Sequence, residues 1–291
     1  MQFHVDGALV PAAEATVSIR DRGFRYGDAA FETLRAYNGV VFDWESHMDR
    51  LDRTCDQLGL THGLERSTLR ERVQETLSAN DLLEAYVRLA ITRGEQPGTL
   101  TPQPATDPTV VIEVQPLPRG GLQGDSVWDD PATVQTVRTR AIPDDCLPTD
   151  GKTHNYLNGV LARLELRRMA TDGPPADEAL VRDLDGAIAS GAASNLFFVD
   201  GEGLHTPATD GSVLPGVTRK HVITLARDEE VPVHEGHYDR DALRAADEAF
   251  LTNTSWEVRP AATIDGLQLG EGPVTALVSN AFDAMVEQRH Y

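Results

Sequence analysis

A globular chain in two domains, mixing amphipathic helices with period-two strands, is the fold this sequence predicts. Three observations carry that expectation. The 291 residues are 40% hydrophobic, yet no run of about 18 apolar positions occurs, so no membrane-spanning helix is expected. Helical stripes and strand alternation interleave along the whole chain. One stretch, Gln115-Pro116-Leu117-Pro118-Arg119-Gly120-Gly121, interrupts both patterns with two prolines and two glycines. It divides the sequence into a small N-terminal domain at 1–114, a linker at 115–124 and a larger C-terminal domain at 125–291. Ligand sites often lie between domains.

Taken in order, Phe3 to Val10 reads as a hairpin closed by Asp6-Gly7. The glycine-punctuated stretch Asp21 to Asp28 leads into an alternating strand. There Phe31, Thr33 and Arg35 share one face, while Glu32 and Leu34 take the other. A polar, aromatic face on a buried strand is a candidate pocket wall. Ser46 is placed to cap a helix whose stripe is Met48, Leu51, Cys55 and Leu58, ending at Gly59, with Arg50 beside the stripe. A second helix is expected from Ser67 to Ala79. Val87, Leu89 and Ile91 then face a core. Tyr86, Arg88, Ala90 and Thr92 take the opposite side, where Arg88 should seek an anion.

Beyond the linker, Gly151-Lys152-Thr153-His154-Asn155-Tyr156-Leu157-Asn158 stands out by a count. Of 26 basic residues only two are lysines, Lys152 and Lys220. A chain that builds nearly every positive charge from arginine, yet keeps a lysine in a polar and aromatic segment, points to an amine that must lose its proton and attack a carbonyl. Lys220 lacks that setting. After it, Leu157, Val160, Leu161 and Leu164 have helical spacing. Ala187 to Val199 reads strand, turn, strand, and Asp200 to Gly203 closes a hairpin. Leu214-Pro215-Gly216-Val217-Thr218-Arg219 opens a helix whose first amides, at Val217 and Thr218, suit an anion. Asn253-Thr254-Ser255 places a hydroxyl-rich turn after a strand. The closing helix is expected to bury Val274, Leu277, Val278, Ala281, Phe282 and Met285.

The formal net charge of −20 argues against nucleic-acid or anionic-membrane partners, which need basic clusters. An acid excess spread along a lysine-poor chain matches proteins of salt-loving organisms, where ions screen the self-repulsion. Cys55 and Cys146 lie far apart in no ligand spacing, so neither a metal site nor a disulfide framework is expected, and a reducing cytoplasm fits.

Six segments in order together resemble the class IV (fold type IV) pyridoxal-phosphate enzymes, the family of branched-chain aminotransferases, D-amino-acid aminotransferases and aminodeoxychorismate lyases. They are Asp21 to Asp28 with Phe31-Glu32-Thr33, Ser46 to Leu51, Lys152 to Asn158, Ser194-Asn195-Leu196-Phe197, Leu214 to Arg219, and Asn253-Thr254-Ser255. The resemblance implies an α+β, two-domain fold, with a small α/β domain, a larger β-barrel-like domain and the active site between them. It implies pyridoxal 5′-phosphate as cofactor, amino acids and 2-oxo acids as small-molecule partners, and a homodimer. Lys152 is then the Schiff-base lysine and Tyr156 either a contact of the cofactor's phenolate oxygen or a support for the lysine. Arg50, Val217, Thr218, Asn253 and Thr254 hold the phosphate, and Tyr26, Phe31, Thr33, Tyr86 and Arg88 shape the substrate pocket.

Three features bear on the branch. The family's glutamate that pairs with the pyridine nitrogen is replaced by Ser190. A hydroxyl leaves the ring neutral and a poorer electron sink, which tilts toward a lyase or a weakened transaminase unless Glu202 or a shifted acid substitutes. The R-x-H of D-amino-acid aminotransferases is missing after Thr92-Arg93-Gly94, and Tyr86-Val87-Arg88 resembles the branched-chain enzymes' Y-x-R. The resemblance therefore implies amino transfer between a small amino acid, branched-chain ones among the candidates, and a 2-oxo acid. The alternatives are elimination of pyruvate to leave 4-aminobenzoate, and a cofactor-binding protein with weakened catalysis.

Overall fold

The computed structural model describes residues 1–104, 107–119, 127–170, 173–270 and 272–291. The chain divides into two compact units. The first comprises Met1–Arg119, Gly151–Asn155 and His290, and the second Gly120–Asp150, Tyr156–Arg289 and Tyr291. Gly151–Asn155, which the sequence reading puts in the C-terminal domain, thus belong to the first unit, and Tyr156 to the second.

The first unit contains β1 (Gln2–Val5), β2 (Ala8–Pro11), α1 (Arg22–Tyr26), β3 (Ala29–Tyr37), β4 (Val40–Val41), α2 (Trp44–Leu58), α3 (Arg66–Ser78), β5 (Ala85–Thr92) and β6 (Val110–Pro116). Its strands form one antiparallel sheet in the order β2-β1-β6-β5-β3-β4. The turn between β1 and β2 is Asp6-Gly7, both residues at positive φ (48° and 94°), as a two-residue hairpin turn requires. Leu34, Met48, Leu51, Leu69, Val73, Leu77, Val87, Leu89 and Ile91 pack a core between the sheet and helices α2 and α3. The helix over 44–58 is capped by Asp43, whose side chain accepts from the Ser46 amide at 3.3 Å, so Ser46 lies inside the first turn rather than at the cap. Gly59 ends it in the left-handed conformation, as expected. Strand β6 runs through Pro116, so the chain is still strand where the expected linker begins. Residues 120–124 of that stretch lie outside the described residues.

The second unit contains β7 (Ala132–Arg140), α4 (Leu157–Met169), β8 (Glu178–Arg182), β9 (Ile188–Gly191), β10 (Asn195–Asp200), β11 (Gly203–Pro207), α5 (Val217–Asp228), β12 (Val233–Gly236), α6 (Arg240–Arg244), β13 (Glu248–Asn253), β14 (Glu257–Ile264), β15 (Leu267–Gln268) and α7 (Pro273–His290). The strand order is β12-β11-β10-β13-β14-β7-β8-β9, with β15 attached to β14. That order forces the sheet to curl. β9 and β10 are five strand steps apart in the sheet, about 24 Å if it were flat. Yet the chain passes from Gly191 at the end of β9 to Asn195 at the start of β10, a reach of at most about 14 Å. The β-barrel-like expectation for this part of the chain is met.

Helix α4 forms where the spacing of Leu157, Val160, Leu161 and Leu164 predicts a helix. It packs on β7 and β8 through Ala162 and Leu166. Leu157, Val160, Leu161 and Leu164 instead face outward, 69%, 50%, 47% and 39% exposed. On α7, Val278, Phe282 and Met285 are buried as expected, but Leu277 is 36% exposed. Among the described residues no helix is long and apolar enough to cross a membrane.

Candidate active site

Lys152 is held by its backbone. Its amide donates to Thr54 Oγ1 of α2 (2.9 Å) and its carbonyl accepts from the Phe31 amide (2.9 Å). Thr153 bridges to Ala30, and the His154 amide donates to the Ala29 carbonyl (3.0 Å). The segment therefore runs beside the start of β3 like a short extra strand, and Thr54 in turn donates to the Arg50 carbonyl at 2.7 Å. A lysine with both backbone groups bonded in this way has a fixed Cα, from which its amine can be aimed.

The amine is aimed at Phe31, with Nζ 4.4 Å from the ring centroid. The Arg88 guanidinium lies over the same ring at 4.0 Å. The β3–β5 register pairs Phe31 with Ala90, Thr33 with Arg88 and Arg35 with Tyr86. Directly opposed residues share a face, so the expected grouping of Phe31, Thr33, Tyr86 and Arg88 on one side of the sheet is observed. Tyr26, at the end of α1, is half-buried with the guanidiniums of Arg22 and Arg25 at 4.9 and 5.3 Å from its ring. Asp21 caps that helix by accepting from the Gly23 and Phe24 amides, and Gly27 closes it at φ 70°, where a Cβ would meet Asn155 Oδ1 at 2.7 Å.

His154 was not singled out by sequence reasoning. Its Nε2 lies 3.0 Å from Arg88 Nη2, and its ring meets Phe31 edge-on with centroids 5.5 Å apart. Burial first, and the Arg88 charge second, push its pKa down to about 4. At neutral pH the ring is uncharged and accepts the Arg88 proton.

On the other face of β3 lies a buried ionic group. Arg50 Nε and Nη2 donate to the two oxygens of Glu32 at 2.8 and 2.6 Å, and His47 Nδ1 lies 2.8 Å from Glu32 Oε2. Glu32 has no solvent exposure and Arg50 is 5% exposed. Burial opposes ionisation of Glu32, but the Arg50 charge and the two donors outweigh it and hold the carboxyl at about 2. Burial keeps His47 below its ordinary pKa, so it donates Nδ1–H as a neutral ring. Arg50, expected at the cofactor phosphate, is thus tied two-pronged to a carboxylate that sequence reasoning left unassigned.

The remaining expected residues belong to the second unit. Tyr156 immediately precedes α4 and is 37% exposed. Ser190 of β9 donates its hydroxyl to the Gly191 carbonyl at 2.9 Å. Glu202 sits in the exposed turn between β10 and β11, the far end of β10 from Asn195. It is therefore no substitute for the missing acid. The acid beside the turn between β9 and β10 is Glu178, fully buried, which accepts from Ser194 Oγ (3.0 Å), the Ala179 amide (2.9 Å) and the Ala192 amide (3.2 Å), with Arg163 at 3.2 Å. Burial raises its pKa.

Helix α5 begins at Val217 behind Gly216, with no side-chain cap and no acid in its first turn. A Cβ on Gly216 would meet Asn195 Oδ1 at 2.1 Å, so the backbone comes close to β10 only because that residue is glycine. Uncapped amides beside a Thr218 hydroxyl suit a phosphate. Asn253 uses its side-chain oxygen on the Ser255 and Trp256 amides (2.9 and 2.7 Å), which fixes the turn carrying Thr254.

A family model for class IV amino-transferases matches residues 29–264. A Methanocaldococcus jannaschii protein provisionally named branched-chain-amino-acid aminotransferase is 37% identical over 91% of this chain and 88% of its own length. Aminodeoxychorismate lyase of Bacillus subtilis is 32% identical over 92% and 88%. The solved branched-chain aminotransferase of Thermoproteus uzoniensis with norvaline superposes with a TM-score of 0.89 at 30% identity, covering 99% of this chain and 95% of that one. The chain belongs to the class IV aminotransferases, enzymes that work with pyridoxal 5′-phosphate; one solved relative is complexed with N-(5′-phosphopyridoxyl)-L-glutamate.

Proposed function

We propose that the chain moves an amino group between a small amino acid, branched-chain ones included, and a 2-oxo acid. The observation that carries this is the fixed Lys152 amine over Phe31, with the Arg88 guanidinium on the same ring. Nucleophile and carboxylate receptor are thereby presented together. Pyridoxal 5′-phosphate, when bound, supplies an aldehyde for covalent capture and a ring that delocalises electrons released at the substrate Cα. Lys152 would anchor the cofactor through its amine and, once released, would carry a proton to and from the substrate Cα. Tyr156 would donate to the cofactor's phenolate oxygen or help hold the lysine. The Val217 and Thr218 amides hold the phosphate, supported by the uncapped start of α5, together with the Asn253-Thr254 turn and Arg50, which Glu32 keeps in one orientation. Tyr26, Phe31, Thr33, Tyr86 and Arg88 shape the substrate pocket. Assays of amino acids with 2-oxoglutarate test the reading; absence of any 2-oxo acid product from a fully loaded enzyme sinks it.

Ser190 favours a second reading, elimination of pyruvate from aminodeoxychorismate. A neutral pyridine hinders amino transfer more than elimination, and pyruvate release from that substrate distinguishes the two. We expect Ser190→Glu to raise the transamination rate about tenfold or more by holding a proton on the ring nitrogen. An unchanged rate, with the substitution confirmed and the cofactor bound, removes the electron-sink argument.

The setting we infer is a homodimer in a salt-rich cytoplasm. The outward stripe of Leu157, Val160, Leu161 and Leu164 supports a subunit contact, and sedimentation as a monomer in molar KCl would exclude it. The charge of −20 supports salt dependence. Thermal stability is expected to climb by several degrees from dilute buffer to molar KCl as repulsion is screened. Equal melting temperatures in both would contradict it.

A further inference from the structure

We propose that His154 is a positioning residue for substrate binding: its ring takes one N–H of Arg88 and holds the guanidinium over Phe31, the ring that Lys152 also meets, ready for a substrate carboxylate. The inference rests on the reading of Arg88 as carboxylate receptor and adds the device that makes it one. Arg88 projects from β5 with its side chain 26% exposed. Among the described residues its one hydrogen bond is to His154 Nε2, at 3.0 Å. Glu113, directly opposite on the neighbouring strand and 37% exposed, forms a long ion pair with Arg88 Nε at 3.8 Å, beyond hydrogen-bond reach and weakened by solvent. A buried arginine is usually met by a carboxylate, as Arg50 is by Glu32 in this same unit. Arg88, partly exposed, has only the long pair with Glu113; its hydrogen bond goes to an uncharged acceptor, and Phe31 lies under the guanidinium. The ring fixes the side chain without spending its charge, and its low pKa keeps that arrangement down to about 4.

The partner's identity matters as much as its presence, and that makes the inference testable. Pyridoxal-phosphate-loaded protein is titrated calorimetrically with 4-methylvalerate, a carboxylate that cannot react with the cofactor. His154→Gln offers an uncharged acceptor and is expected to bind it within about threefold of the parent. His154→Leu, which removes the acceptor, is expected to bind about tenfold more weakly. His154→Glu restores an acceptor but neutralises Arg88, so binding should fall by about tenfold or more despite the retained contact. In steady-state assays the losses should fall on KM for the 2-oxo acid rather than on kcat. Arg88→Gln reads the underlying function separately. If it binds 4-methylvalerate like the parent, Arg88 is not the receptor and the inference falls with it. If Arg88→Gln binds weakly while His154→Leu or His154→Glu binds like the parent, the receptor stands and the role of His154 is overturned. Should the Leu variant fail to fold, the Gln–Glu pair decides alone.

Discussion

Lys152→Ala is expected to lower turnover by about a thousandfold or more, the contribution of a positioned proton carrier that is also the covalent anchor. The visible absorbance that pyridoxal 5′-phosphate gives when linked to a protein amine should vanish with it. Lys152→Arg should fail to the same degree although it keeps a positive charge, because a guanidinium does not give up its proton under these conditions. The chain offers an unusually clean control, since Lys220 on α5 is its one other lysine. Borohydride treatment followed by peptide mapping should place the label on the 152 peptide and leave that of Lys220→Ala unchanged. A label on Lys220, or an active Lys152→Ala enzyme, would overturn the assignment. The surroundings give no reason to expect the Ala variant to unfold. What ties the segment down is backbone, through the Thr54 hydroxyl, the Phe31 amide and the Ala29 carbonyl, none of which involves the amine.

Much of this arrangement is legible in the amino-acid sequence. Period-two alternation places Phe31 and Thr33 on one side of β3 and Arg88 on one side of β5, and the register confirms that the two sides are the same. Lysine scarcity isolates Lys152. What periodicity does not reveal is which partner a side chain meets across the fold. Glu32 lies 18 residues from Arg50, and Arg88 lies 66 from His154. Both pairs exist only once strands and helices are set against one another. No R-x-H follows Thr92-Arg93-Gly94, while the fold brings an arginine and a histidine together from distant positions. Helix α4 shows the same limit from the apolar side. Its leucines share a face, as their spacing requires, but the sheet is met by the smaller Ala162 and by Leu166, leaving the leucine face outward. Spacing says which residues stand together and not what covers them. Capping is similarly local yet ambiguous: Ser46 and Asp43 are both good caps, and the left-handed backbone at Asp43 (φ 42°) settles where the helix begins.

Glu32→Ala should be the most destabilising single change in the first unit. The carboxylate is completely buried and receives two N–H groups from Arg50 and one from His47. Its removal strands a guanidinium that is 6% exposed, a situation that costs about 3–5 kcal/mol. In a chain of this size that is a fall in melting temperature of about 10 °C. The sign of the pH dependence follows from the direction of the shift. Glu32 is held at about 2 in the folded protein, below its unfolded value of roughly 4.3. Its contribution is therefore complete above the unfolded value and is lost as pH falls toward 2. The gap in stability between parent and Glu32→Gln should accordingly be constant from pH 7 to about 5 and narrow below it. Denaturant titrations at pH 7, 5 and 3.5 measure this, and a gap that widens on acidification would show that Arg50 does not depend on Glu32 for its charge balance. The same variant also reads the proposed role of Arg50. With its carboxylate gone, the guanidinium gains a larger reason to bind an anion, so inorganic phosphate should stabilise Glu32→Gln more than the parent. Equal stabilisation of both would place the phosphate elsewhere, on the amides of α5.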